Sequence, residues 1–239
     1  MFTIALIGPD GAGKSTIGRK LQEISPFPMK YVYMGVNLES SNLVLPTTRL
    51  LLEIKRARGL RPDITVPRDV YFQSSTRKKL TKRVAETLKS NLRMVNLIAE
   101  EWFRQLIVWY YKLRGYFVIL DRHFYFDYYD RDIANTDTKR PLSSRLHGFI
   151  LQNLYPKPDF VIFLDAPSEV LFARKPERSI DILESKRQEY VRLREVMKDF
   201  AVVDVSQPVD TVVSQVYDLI VNFRKNKDNL GKQNQWSSR

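Results

Sequence analysis

The stretch "GPDGAGKST", residues 8–16, directly follows the apolar run "MFTIALI" and holds three of the 9 glycines in the chain. It fits the pattern G-x-x-x-x-G-K-[ST] through Gly8, Gly13, Lys14 and Ser15. Glycines let successive backbone N–H groups turn toward phosphate oxygens, the lysine adds a positive charge, and the hydroxyl is a ligand for Mg²⁺. The stretch therefore predicts a loop that binds a nucleoside triphosphate, and we expect ATP and Mg²⁺ as its ligands. The residues expected to contact them are Gly8, Asp10, Gly11, Ala12, Gly13, Lys14, Ser15 and Thr16.

Short apolar runs rich in β-branched residues recur along the chain. Each is apolar on both faces and is bounded by turn formers or charges, as expected for strands buried in a parallel sheet. The runs are "FTIALI" (2–7), "YVYM" (31–34), "YFVIL" (116–120), "DFVIFL" (159–164) and "AVVDV" (201–205). Helical patterns alternate with them at about 14–24, 80–113 (one long helix or two in tandem), 143–154, 182–198 and 209–223. We predict an α/β protein with a three-layer P-loop NTPase fold, in which helices flank a five-stranded parallel sheet.

The composition indicates one globular domain. The chain has 239 residues, 44% of them hydrophobic, and no window of about 18 uncharged apolar residues that could span a membrane. Zero cysteines exclude disulfides and thiolate ligands, and two histidines argue against a histidine-rich metal centre. The start lacks the features of a secretory signal. We therefore expect a single cytoplasmic domain over residues 1–223.

The positive charge is unevenly distributed. The formal net charge is +12; residues 49–93 carry 13 basic and 4 acidic groups, and residues 224–239 carry 5 and 1. The first region is predicted to be a basic helical insert that contains a loop at 61–67. The second has no apolar period and is predicted to be a disordered basic tail. Two interpretations of the insert stay open: a solvated helix face, and a surface that binds nucleic acid or another anionic surface.

Four further segments resemble one protein family. "FVILDRH" (117–123) is similar to a strand that ends in D-R-[YH], and "PKPDFVIFLDAPSEVLFAR" (156–174) to a segment that reads P-D-[LF]…L-D-x-x-x-E-x-x-x-x-R. "KRQEYVRL" (186–193) resembles a helix that follows a lid, and "VVDVSQPVDTV" (202–212) a closing strand and helix. With the glycine loop, these segments cover about half of the chain and resemble the thymidylate kinase family of P-loop nucleoside monophosphate kinases.

Asp121 and Arg122 follow the third apolar run, where the carboxyl ends of parallel strands meet ligands. A carboxylate there can hold Mg²⁺ together with Ser15, and a guanidinium can grip an acceptor phosphate through two hydrogen bonds. A purely structural ion pair of Arg122 is the alternative. For Asp10, the resemblance implies a contact with the sugar hydroxyl of the acceptor or with neighbouring phosphate contacts, and a turn aspartate that bonds its own backbone is the alternative.

The segment "RKPERS" (174–179) packs three basic residues around a proline. In the family this region is a mobile lid, here about 173–181, and its arginines Arg174 and Arg178 could close over the transferring phosphoryl group and exclude water. Solvated loop charge is the alternative. The predicted catalytic residues are Lys14, Asp121, Arg122, Arg174 and Arg178.

The resemblance fails on the acceptor side. The family reads R-E-P-G-G-T after the second strand, whereas this chain reads "YMGVNLES" (33–40), with no arginine before Arg49. After D-R-Y the family has a serine pair and then Y-Q, whereas this chain reads "FYFDYYDRD" (124–132). A family arginine on the long helix has no secure match, although Arg104 lies on a plausible face. Trp102 and Phe103 could stack on a base or pack in the core.

Three functions follow from these patterns. The first is a kinase that transfers the γ-phosphoryl group of ATP to a nucleoside monophosphate, with dTMP as the leading acceptor. The second is a kinase of the same fold whose acceptor is another phosphorylated or hydroxylated small molecule, contacted by Asp127 or Asp130. The third is a nucleotide-gated binding module that docks its basic insert on an anionic partner. The family resemblance also implies a homodimer through the long helices.

Overall fold

The computed structural model describes residues 1–35, 44–57, 59, 80–137 and 140–236. Five strands form one sheet, in the order β2-β3-β1-β4-β5, and the pairings of β1 with β3, β1 with β4 and β4 with β5 are parallel. The strands are β1 (Thr3–Ile7), β2 (Met29–Tyr33), β3 (Phe117–Asp121), β4 (Phe160–Asp165) and β5 (Phe200–Asp204). The predicted α/β fold with a five-stranded parallel sheet is confirmed.

The core explains why these runs become strands. All five residues of β1 and all five of β3 are buried, because helices cover the sheet. Alternate residues of β1, such as Ile4 and Leu6, pack in one cluster with Ile17 of the first helix and Val216 of the last. Each Å² of apolar surface removed from water contributes about 25 cal/mol to stability, so this cluster is the main stabilising element of the sheet.

Most helices lie close to their predicted positions, although the helix predicted at 182–198 spans Ile180–Arg192. The first begins at Lys14 and ends at Ile24, as predicted, and the long apolar period forms one helix rather than two. The helices are α1 (Lys14–Ile24), α2 (Pro46–Ala57), α3 (Leu80–Leu113), α4 (Phe124–Asp127), α5 (Leu142–Asn153), α6 (Ser168–Arg174), α7 (Ile180–Arg192) and α8 (Val209–Trp236). A π-helical turn spans Tyr129–Ile133, and a 3₁₀ turn, Leu193–Glu195, follows α7. Among the helices that the structure describes, none is both long and apolar enough to cross a membrane.

The basic tail differs from its prediction. Residues 224–236 continue α8, where the sequence predicted disorder, and 237–239 lie outside the described residues. Arg224 stacks over the rings of Phe27 and Phe117, at 5.0 and 5.2 Å from their centroids, and Lys227 forms an ion pair with Asp159. These contacts pack the end of α8 against residues of the same unit. The helix therefore continues beyond Phe223, the last residue of its apolar pattern.

The contacts divide the chain into two compact units. The first comprises residues 1–32, 111–126 and 157–239, and the second comprises residues 33–110 and 127–156. The bounds predicted for a single domain remain a prediction. Much of the basic insert, including the predicted loop at 61–67, lies outside the described residues, so its role as an anionic-partner surface also remains a prediction.

Candidate active site

The glycine loop connects β1 to α1 in a conformation that only glycine adopts easily. Gly8, Gly11 and Gly13 have φ angles of 148°, 89° and 77°. A Cβ atom on Gly8 would lie 2.5 Å from the backbone oxygen of Leu164, and one on Gly11 would lie 2.6 Å from that of Leu171. Both neighbours are backbone atoms that cannot move aside. The concentration of glycine is therefore a requirement of the loop's path against β4 and α6.

Lys14 begins α1 and is buried, with 7% of its surface exposed. Its Nζ donates to the backbone oxygens of Gly8 and Pro9, at 2.7 Å each. The ammonium group is therefore held against the loop, close to the N-terminal end of a helix, where a positive charge and backbone N–H groups together attract phosphate.

Ser15 and Asp121, predicted as magnesium ligands, lie together. Asp121 is fully buried at the end of β3, and Ser15 Oγ donates to its Oδ2 over 2.5 Å. The hydroxyl of Tyr31 donates to the same oxygen over 2.6 Å. Asp121 Oδ1 is buried and has no hydrogen-bond partner among the described residues. Because Mg²⁺ prefers oxygen ligands and accepts one or two from protein, the orphaned carboxylate oxygen and the serine hydroxyl fit this ion.

Asp10 binds two arginines rather than its own backbone. Arg122 Nη2 donates to its Oδ1 over 2.6 Å, and Arg178 Nε donates to its Oδ2 over 2.9 Å. Burial would raise the pKa of Asp10, but the positive charges of Arg122, Lys14, Arg178 and Lys175 outweigh it and lower the pKa to about 2. The carboxylate therefore gathers the arginine that follows β3 and one arginine of the predicted lid. Its expected contact with an acceptor hydroxyl remains a prediction.

Arg122 has an unusual backbone for its residue type. Its φ angle is 70°, in the left-handed region, and it is the one non-glycine residue with a positive φ in the part of the chain that the structure describes. Such a conformation costs on the order of 1–3 kcal/mol and is found preferentially at functional sites. The strain is sustained by the ordered strand β3 and by the ion pair with Asp10.

The two arginines of the predicted lid, Arg174 and Arg178, lie in different surroundings. Arg178 pairs with Asp10, whereas Arg174 is exposed at the end of α6. The pKa of Asp204 is lowered, first by the hydrogen bond from the Ser206 hydroxyl and also by the charge of Arg174. The structure therefore brings Arg178 to the glycine loop and gives no such contact to Arg174. A catalytic role for each remains a prediction.

The acceptor-side candidates lie in the second unit. Arg104 is fully buried; its Nε donates to Glu100 Oε1 over 3.1 Å and its Nη1 to the backbone oxygen of Tyr33 over 2.5 Å. Trp102 packs against the rings of Trp109 and Tyr155, which agrees with the core role considered for it. Asp127 ends α4, and Asp130 lies in the π-helical turn; both are partly buried.

The second unit contains a buried ionic cluster around His147 that the sequence does not predict. His147 Nδ1 lies 2.6 Å from Asp132 Oδ2, and His147 Nε2 lies 2.8 Å from Glu101 Oε1. Burial would lower the pKa of His147, but the hydrogen bonds to Asp132 and Glu101 outweigh it and raise the pKa to about 9. A Cβ on Gly148 would lie 1.8 Å from the Asp132 backbone oxygen, so α5 approaches the π-helical turn closely. The sequence does not predict this cluster, because a single histidine whose partners lie 15 and 46 residues away forms no recognisable motif.

The parallel sheet contains a buried strand that leads through a glycine loop and its lysine into a helix. This arrangement defines a P-loop NTPase fold. No family model matches the chain. It is 26% identical to a thymidylate kinase of Staphylococcus haemolyticus, over 93% of this chain and 98% of that protein. It is also 26% identical to a thymidylate kinase of Thermosipho africanus, over 45% of this chain and 56% of that protein, and 30% identical to a probable thymidylate kinase of Archaeoglobus fulgidus, over 48% and 58%. The chain thus spans little more than half the length of these last two relatives.

The solved structure of a deoxyadenosine kinase from M. mycoides with bound dATP covers 92% of this chain and 99% of its own, with a TM-score of 0.50 and 18% identity. A second structure of that enzyme, with products dCMP and a flexible dCDP, superposes equally well, at 17% identity. These likenesses establish the fold. The chain is therefore similar to thymidylate kinases in sequence and to a nucleoside kinase in fold, and no single member is singled out.

Proposed function

We propose that this chain is an ATP-dependent phosphotransferase that converts a nucleoside monophosphate to a diphosphate, with dTMP as the leading acceptor. One observation carries the proposal: the first unit brings the glycine loop, the Ser15–Asp121 pair and the Arg122–Asp10–Arg178 cluster together. The thymidylate kinase similarity over 98% of a relative's length supports the same conclusion.

The donor half of the site acts by position and charge. The backbone N–H groups of the loop and the ammonium of Lys14 bind the phosphates of ATP and orient the terminal one. Ser15 and Asp121 hold Mg²⁺, which, when bound, neutralises charge on the transferring phosphoryl group. Since phosphoryl transfer needs little covalent participation from protein, this arrangement supplies most of what the donor side requires.

The arginines serve the acceptor and the transferring group. Arg122 offers two parallel N–H groups to an acceptor phosphate, and Arg178 approaches from the lid segment. Asp10 holds both guanidinium groups by charge-assisted hydrogen bonds, so they are ordered before a phosphate competes for them. Arg174, at the end of α6, joins them on closure of the lid. This closure excludes water that would otherwise hydrolyse ATP.

A second candidate changes the acceptor to one that lacks a phosphate, such as a deoxynucleoside. It is favoured by the sequence after β2, which contains no arginine before Arg49, where thymidylate kinases contact the monophosphate. The deoxyadenosine kinase that shares the fold offers a precedent. In this case Asp127 or Asp130 would contact sugar hydroxyls. The homodimer implied by the family resemblance remains a prediction in either case.

The experiment is an acceptor screen. Purified protein is incubated with Mg·ATP and with dTMP, dUMP, UMP, CMP, AMP, GMP, nucleosides or sugars, and ADP formation is recorded against a control without acceptor. The proposal expects ADP with dTMP well above the control. ADP with nucleosides alone would favour the second candidate, and no acceptor-dependent ADP with any compound would contradict both.

A further inference from the structure

Tyr31 lies on β2 and contacts the Ser15–Asp121 pair of the candidate site. Its hydroxyl and that of Ser15 both donate to Oδ2 of Asp121, at 2.6 and 2.5 Å. The other oxygen, Oδ1, is buried and has no hydrogen-bond partner among the described residues. Two donors on one oxygen fix the rotation of the carboxylate and leave the second oxygen without a competing bond.

The fold builds a slot for the Tyr31 ring. A Cβ on Gly18 would lie 2.6 Å from Tyr31 Cδ2 and 2.8 Å from Cε2, so the ring occupies the space that an alanine there would need. The Arg19 guanidinium lies 5.7 Å from the centroid of the ring, and the backbone N–H of Tyr31 donates to Gln22 Oε1 over 2.8 Å. Three residues of α1, the helix that begins at the glycine loop, therefore position this side chain.

The chemistry of the hydroxyl suits a donor to a carboxylate. A phenol has an ordinary pKa of about 10, so it keeps its proton at neutral pH and can donate that proton to the carboxylate. Groups that hydrogen-bond a metal ligand fix its orientation, and their removal typically weakens metal affinity about 10–100-fold.

We propose that Tyr31 is a positioning residue that holds Asp121 so that Oδ1 is presented to the magnesium ion of the bound nucleotide. The inference rests on the proposed function, because it requires ATP with its metal at the glycine loop. It goes beyond that function by assigning the metal site a residue on β2, outside the loop and the strand that supply the ligands.

The test measures metal binding directly. Mn²⁺, which is detected by electron paramagnetic resonance, is titrated into protein with ATP, and ATP binding is measured separately in excess EDTA. We expect Tyr31→Phe to weaken Mn²⁺ binding about 10-fold and to leave metal-free ATP binding unchanged. The matched control is Tyr217→Phe, which removes the same atom from a ring that stacks on Phe27 in the same unit, outside this cluster. It should change neither quantity.

A second variant tests the geometry without removing the hydroxyl. Gly18→Ala must displace the Tyr31 ring, so it should also weaken Mn²⁺ binding. In the Tyr31→Phe background it should add little, because both changes act through the same hydrogen bond and are then non-additive.

The outcomes separate this inference from the proposed function. If the unaltered protein binds no Mn²⁺ in the presence of ATP, the proposed function fails and the role of Tyr31 fails with it. If the unaltered protein binds the metal and Tyr31→Phe binds it equally well, the positioning role alone is wrong. An equal loss of metal-free ATP affinity would also overturn it, because that result indicates general damage to the loop.

Discussion

Lys14 is a buried lysine whose ammonium is bonded to two carbonyl oxygens of its own loop. We expect Lys14→Ala to lower the rate of ADP formation by about 10²–10³-fold, the usual effect of removing one preorganised electrostatic contact. The unfolding free energy should fall by about 3 kcal/mol, because the ammonium bonds two loop carbonyls and a hydrogen bond to a charged group is worth about 1.5–3 kcal/mol. Steady-state kinetics and urea denaturation measure these quantities.

The matched control is Lys20→Ala on the same helix. Lys20 is 40% exposed and pairs with the exposed Asp210, a surface ion pair of little energetic value. Its rate should equal that of the unaltered protein. An unchanged rate for Lys14→Ala would count against the donor site as proposed.

Asp10 has a folded-state pKa lowered from 3.8 to about 2. A depressed carboxyl pKa contributes stability that is complete above the unfolded pKa and is lost as pH falls through the folded one. We expect Asp10→Asn to lower the unfolding free energy by on the order of 2 kcal/mol at pH 7. The difference from the unaltered protein should shrink between pH 4 and pH 2 in urea denaturation. A difference that does not depend on pH would contradict the ion pairs of Asp10 as its source.

Some residues of the candidate site could be predicted from the sequence, and others could not. Ser15 and Asp121 could be paired in advance because each follows a buried strand at the same sheet edge. Tyr31 could not, since a tyrosine in an apolar strand is typical of core packing and its partner lies 90 residues away. His147 gave no signal either, because its partners lie 15 and 46 residues distant.

At the scale of elements, the glycine loop depends on close approach to backbone. Gly11→Ala places a Cβ 2.6 Å from the Leu171 oxygen at a φ of 89°, so the loop must move. We expect it to lower the unfolding free energy by about 1–3 kcal/mol and to reduce ATP affinity, as measured by calorimetry. Gly115→Ala is the control: its φ is 87°, but a Cβ there would lie 3.9 Å from the Met1 side chain, at ordinary contact distance. It should be destabilising without any change in ATP affinity, and equal ATP affinity in both variants would contradict this account of the loop.

The strands were predictable because burial on both faces gives continuous apolar runs, and all five lie within about two residues of their expected bounds. The short helix α4 and the π-helical turn were not, because four or five residues show no period. The end of α8 also differs from the sequence prediction, for a related reason. Its apolar period stops at Phe223, whereas the continuation depends on contacts of Arg224 and Lys227 with distant residues.

At the scale of the whole molecule, the buried cluster around His147 predicts how stability depends on pH. A histidine pKa raised from 6.5 to about 9 contributes stability that is complete below pH 6.5 and is lost as pH rises through 9. We expect His147→Gln to cost about 3 kcal/mol at neutral pH, because Glu101 loses its buried cation and Asp132 keeps only its ion pair with Arg131. The cost should shrink toward pH 10.

Denaturant unfolding at pH 6, 8 and 10 measures this difference. His123→Gln is the comparison, because His123 belongs to the other unit and lies outside this cluster. This variant removes a second buried histidine and leaves the bonds of Asp132 and Glu101 intact. If the cost of His147→Gln stays constant from pH 6 to 10, the imidazole does not carry the charge assigned to it.

The proposed reaction joins a P-loop donor site to an acceptor that is already a nucleotide. The most direct measurement offers the protein equal amounts of dTMP and thymidine with Mg·ATP and identifies the products by mass spectrometry. We expect dTDP and ADP in equal amounts, with thymidine unconsumed. Phosphorylation of thymidine without dTDP, or ADP without any phosphorylated product, would contradict it.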